Sequence, residues 1–186
     1  MAEKTIRTIL ALDGEKQFRQ KLTQINSQLS VMKTNLKDLT NQYEINGKSV
    51  KNLKNQKNEL QSKISALKQR QTTLTEGFKA SQRALRDANK EHQDAIVKHG
   101  AESNEAKRLE AAILKLQQRC NSYQNQLTAT NMEIRNTQRD LHAVNSEIAK
   151  GSFGAKLAKE LGEVSKVTAK LGFEGLKLCQ GSFKGS

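Results

Sequence analysis

A seven-residue repeat constrains this chain more than any other feature. Between Leu22 and Tyr43 the apolar residues fall at Leu22, Ile25, Leu29, Met32, Leu36, Leu39 and Tyr43, in alternating steps of three and four. That spacing lays one apolar stripe along one face of a helix and is the a/d seam of a coiled coil. With Leu22 as an a position the register runs to Ile148 without a change of phase. It passes through Val50, Leu53, Leu60, Ile64, Leu67, Leu74, Phe78, Leu85, Leu109, Ile113, Leu116, Leu127, Ile134, Leu141 and Val144. About 28 of the roughly 37 a and d positions in that span are apolar, alanine or cysteine. A hydrophobic fraction of 35% would fill about 13 by chance, so the repeat organises the chain.

The repeat and the composition together leave one fold class, all-α with long coiled-coil helices. With 4% aromatic residues and no tryptophan the chain lacks the material for a large globular core, and it is too periodic for disorder. Proline is absent throughout, and an interior proline would cost a helix about 3 kcal/mol and a hydrogen bond. Two glycines act as hinges, Gly47 and Gly100, because glycine takes the backbone conformations that close a helix. They divide residues 15–150 into three expected helices, 15–45, 49–98 and 103–149. Ser49 and Ser103 stand where N-caps belong, and Glu105 falls in a first turn, where the helix dipole favours an acid. The similar lengths of the second and third helices suit an antiparallel hairpin, whereas the unbroken phase suits a segmented rod whose one face keeps meeting one partner. We expect the rod in an assembly and the hairpin for a lone chain.

The two ends have a different texture. Residues 1–14 form an N-terminal unit in which Thr5 to Leu12, rich in β-branched residues, predicts a short strand, followed by Asp13 as a helix cap. One strand is not stable alone and needs a pairing partner. In residues 151–186, Gly151, Gly154, Gly162, Gly172, Gly175, Gly181 and Gly185 punctuate an amphipathic pattern of Phe153, Leu157, Leu161, Val164, Val167, Leu171, Phe173, Leu176 and Leu178. That pattern predicts short helix with glycine breaks, too polar to span a membrane and suited to docking on a membrane surface or, as we expect, on a protein wall.

Departures from the seam mark where stability is given up. Asn46, Lys57, Gln71, Ser81, His92, His99, Glu102, Thr130 and Thr137 occupy a or d positions, and alanines 84, 88, 95 and 106 thin the packing around the second hinge. Residues 81–102 are therefore expected to be the weakest stretch. His92 and His99, one heptad apart, read as polar layers that set register or as a frayed hinge, rather than as layers that bind an anion or metal in an oligomer. Cys120, on an a position, reads as a small apolar filler, and neither it nor Cys179 has metal-ligand spacing. The cysteine usage points to a reducing, cytosolic origin. The e and g positions are mostly Gln, Asn and Lys, without the alternating charges that select a foreign partner, so self-association is the expected partnership.

Charge narrows the partners further. Of the net charge of +13, about +7 lies between Asn46 and Lys98, where twelve basic residues face five acids. Such a segment attracts an acidic surface or nucleic acid through a salt-dependent term, although the scarcity of aromatics argues against base stacking. No phosphate-binding glycine loop and no nucleophile-base grouping appears, so we expect no catalytic, cofactor-binding or metal-binding residues and no enzyme activity.

The opening T-I-R-T-I-L-A-L-D-G-E-K-Q-F, the leucine heptads, the break at Gly100 to Ser103 and the later G-A-K-L-A-K-E-L-G-E-V-S-K-V together carry a resemblance. Over nearly its whole length the chain resembles the N-terminal region of tail tape-measure proteins of long-tailed phages and prophages of Gram-positive bacteria. Members of that family are commonly much longer. The resemblance implies a structural protein that lies along the lumen of the tail tube, sets tail length and leaves ahead of the genome. It implies tail-tube, tail-tip or baseplate, and tail-assembly chaperone proteins as partners, in the virion tail and in the host cytoplasm during assembly. The alternative from the residues alone is a cytosolic coiled-coil scaffold or a basic, nucleoid-type DNA-binding protein.

Overall fold

The computed structural model describes residues 15–45 and 49–181, with side chains as far as Gly151. Among these residues the chain is all-α, without a strand: α1 spans Glu15–Ile45, α2 Val50–His99 and α3 Asn104–Gly181. The strand expected from Thr5 to Leu12, its Asp13 cap and the hinge Gly47 lie outside the described residues. The third helix does not end at 149 as expected but stays helical to Gly181. An interior glycine costs about 1 kcal/mol relative to alanine, which weakens a helix without having to end it.

The lone chain folds back at both interruptions. Against α2, α3 runs antiparallel: a Cβ on Gly151 would meet Val50 Cγ2 at 2.9 Å, Gln71 Nε2 donates to Asn131 Oδ1 at 2.7 Å, and His99 lies 3.6 Å from Glu105. Along α2 in the other direction, α1 is tied by Asn35 Nδ2 donating to Glu59 (3.0 Å) and by Gln56 Nε2 donating to the Leu39 carbonyl (3.1 Å). At 1.5 Å per residue, α2 sets a length of about 75 Å for the folded-back region.

Between α2 and α3 the turn is built at Gly100, whose φ of 84° and ψ of 157° lie in a region essentially reserved for glycine. Its amide still closes α2 by donating to the Ile96 carbonyl at 2.9 Å. Ser103 then caps α3, its Oγ accepting from the Ala106 amide at 3.2 Å. Ser49 holds the corresponding position before α2 with extended backbone, but its side chain makes no capping bond.

Burial follows the heptads. Every d position of α2 is buried, through Leu53, Leu60, Leu67, Leu74, Ser81, Ala88 and Ala95, and so are Leu109, Leu116, Tyr123, Thr130 and Thr137 on α3. The two seams therefore face each other. For α1 the contact is different, because α2 has already given its seam to α3. The α1 seam lies on a second α2 stripe, whose buried members are Gln56, Ala66, Thr73 and Gly77. Ile25 and Leu29 join Ala66 and Leu67 in one cluster, with Met32 and Ile134 packed against it. Leu22, Leu36, Leu39 and Tyr43 stay half-buried.

The polar seam residues resolve in different ways. Thr130 and Thr137 bury their hydroxyls by donating to the carbonyls of Gln126 and Glu133 at 2.7 and 2.8 Å. Ser81 Oγ is buried without a partner, which typically costs 1 to 3 kcal/mol. His92 and Lys57 are half-buried, and His99 and Glu102 are exposed.

These burials order the expected losses. Leu74→Ala, at 0% exposure, should cost about 2 to 5 kcal/mol, and Leu36→Ala, half-buried on α1, distinctly less. Ser81→Ala should raise stability by removing an unsatisfied hydroxyl and adding helix propensity. Denaturant melts followed by circular dichroism check all three, and equal losses at Leu74 and Leu36 would contradict the burial order.

Candidate interaction surfaces

Three helices meet at one point, where a glycine makes room for two rings. Phe18 of α1 and Tyr123 of α3 pack edge to face, with centroids 5.4 Å apart and planes at 84°. Gly77 of α2 lies against both. A Cβ there would come within 2.7 and 2.8 Å of the Phe18 ring and 3.1 Å of Tyr123. Glu15 brackets the rings with charge, accepting from Arg19 Nη2 at 2.6 Å and lying 3.9 Å from Arg119 Nη2. Burial pushes the Tyr123 hydroxyl above its usual range, against the opposing pull of Arg119. This junction docks the start of α1 onto the α2–α3 hairpin. Phe18 and Tyr123 both stand on d positions, whereas Gly77 stands off the seam. Its sequence signal was a lone glycine inside an otherwise unbroken helical pattern, a position that gives up about 1 kcal/mol of helix propensity.

The basic residues of α2 do not form one face. Lys63 is largely covered and pairs with Glu133 across the bundle at 3.1 Å, and Arg70 and Lys57 are half-buried. Lys79, Arg83, Arg86 and Lys90 are exposed at spacings of four, three and four, which makes a single outward stripe about 16 Å long. Among the described residues none of the four has a carboxylate within ion-pair distance. A stripe of this kind attracts polyanions by counterion release without reading sequence.

Near the Gly100 turn the charge reverses. Glu91 is held above the usual carboxylate range by burial first, then by Asp87, Asp94 and Glu105. Cys120 is buried, and burial likewise pushes its thiol up, so the reactive thiolate is disfavoured. Among the described residues no group of His, Cys, Asp and Glu side chains could hold a metal ion, and no helix is long and apolar enough to cross a membrane. No family model, no curated protein and no solved structure matches this chain.

The junction makes a specific forecast. Gly77→Ala gains about 1 kcal/mol of helix propensity yet forces the Phe18 ring aside, so the net effect should be destabilising, with α1 loosened selectively. Phe18→Ala in the same chain should remove that clash, so that Gly77→Ala becomes neutral or stabilising in its presence. A double-mutant cycle by thermal melting checks this, and strictly additive effects would contradict the contact.

Proposed function

We propose that this chain is a structural helical element of a phage tail, of the tape-measure class, in which residue count is read as length. The observation that supports it is the single heptad phase kept across both interruptions. Residues buried where α2 meets α3 are the residues that an extended rod would bury against other copies. Folded back, residues 22–148 reach about 75 Å; opened at both turns, the same residues would reach on the order of 190 Å. We take the hairpin as the form of the lone chain and a coiled-coil rod as the form in an assembly. The basic α2 surface suits an acidic tube wall as a releasable filling. On this reading the chain has no catalytic role, binds no cofactor, and resides in the tail and, during assembly, in the host cytoplasm.

A second reading is favoured by one observation, the stripe of Lys79, Arg83, Arg86 and Lys90. It would make the chain a cytosolic scaffold that holds DNA by its phosphates. Reversing that stripe with glutamates would then abolish micromolar duplex binding and flatten its salt dependence.

The ruler reading makes a metric claim. Deleting whole heptads within Gln56 to Leu74 keeps the seam in phase while shortening a rod by about 10.5 Å per heptad. Tails assembled with such a chain should shorten in proportion, in steps of the tube's ring spacing. Electron micrographs showing unchanged tail length, in particles that contain the deleted protein, would eliminate the reading for this segment.

A further inference from the structure

The side of α1 that faces away from α3 leaves an open groove against α2. It has two lobes along one line. One, about 540 Å³, has Ile25 and Thr73 among its lining residues and carries Lys21 and Lys68, with Glu76 among the α2 residues that line it. The other, about 350 Å³, carries Asp38 and Glu59 beside Leu39. Between them on the same α1 stripe stands Val31, 58% exposed, one heptad from both Gln24 and Asp38. The groove thus has one exposed apolar side chain, Val31, at its centre, two lysines beside Glu76 at one end and two carboxylates at the other.

We propose that this face is a docking surface for a second copy of the chain, packed antiparallel about a two-fold axis at Val31. This inference is independent of the tail reading. A two-fold interface must be self-complementary, each residue meeting the partner of its own partner. An axis at Val31 meets that requirement: it brings the two valines together, sets Glu59 at the level of the second copy's Lys68, and puts Asp38 within a turn of its Lys21. The same operation repeats both pairs on the other side. The face spans about 45 Å along α1 and about 20 Å across two helices, on the order of 800 Å² per copy, which matches a stable interface of standard size. The net charge of +13 repels two copies at long range. At physiological salt that repulsion is screened beyond about 8 Å, while pairs in contact are largely spared. The a/d seam of α1 is not the dimer contact, since it already faces α2; the flank beside it is.

Sedimentation equilibrium of the full chain at physiological salt tests the proposal. The wild type should be a dimer. The double variants Asp38→Lys/Glu59→Lys and Lys21→Glu/Lys68→Glu should each be monomeric with wild-type helical content, because each sets like charges opposite one another at both pairs. Mixed in equal amounts, the two should dimerise again as a heterodimer. Val31→Asp, at an exposed position, should abolish dimers without disturbing the fold. A wild type that is monomeric up to millimolar concentration overturns the proposal. So does a dimer that the reversals and Val31→Asp leave intact, and so does a mixture no more dimeric than its parts.

Discussion

The seam between α2 and α3 is the constraint on which the rest of the structure depends. Leu67, Leu74 and Leu116 are fully shielded there, each removing apolar surface from water at roughly 25 cal/mol per Å². Toward Gly100 the same seam keeps Leu109 but is otherwise built from Ala88, Ala95 and Ala106, which bury completely or nearly so but contribute little area. The turn is therefore at the weak end of the hairpin and the leucines are at the strong end. This gradient makes the stability of the hairpin a property of residues far from its turn.

Everything α1 does is conditional on that seam. Its contact surface combines Ala66, Leu67 and Gly77 of α2 with Tyr123 and Ile134 of α3, so it exists only when α2 and α3 are already paired. The α2 stripe that receives it also carries Gln56, Glu59, Lys63 and Arg70, and Arg70 Nε is buried without a partner. Two fully covered leucine layers outweigh such a flank, because a half-buried leucine forfeits part of its transfer energy and a buried unpaired donor costs more. Local opening should thus begin with α1, leaving the longer hairpin intact.

Helix positions and the α2–α3 seam were legible in the sequence because both are one-dimensional properties. Leu53, Leu60, Leu67 and Leu74 are apolar at heptad spacing whichever partner they meet, and Ser103 and Gly100 signal a cap and a stop locally. The partner was not legible. Buried d residues do not name their partner, since one copy folded back and several copies laid straight would bury the same ones. The third helix was underestimated for a related reason: glycine spacing reports propensity, and propensity at about 1 kcal/mol per glycine does not by itself end a helix. The α1 dock was the least legible, because it rests on Gly77 and Thr73, residues that matter by their size and not by their hydropathy.

This ambiguity of partner is also what a length-reading role would require. Exchanging the α2–α3 contact within one chain for the same contact between chains would bury the same leucine layers, so for that seam the choice turns on concentration rather than on contact quality. The short link at 100–103 holds α3 near α2 at an effective concentration of order millimolar, which keeps a dilute chain folded back. Copies confined side by side in a narrow tube would exceed that value, and the same leucine layers would then favour the extended form. A seam with better intrachain specificity, such as charged e and g pairs matched only within the hairpin, would forbid that exchange; the Gln, Asn and Lys flanks of this chain leave it open.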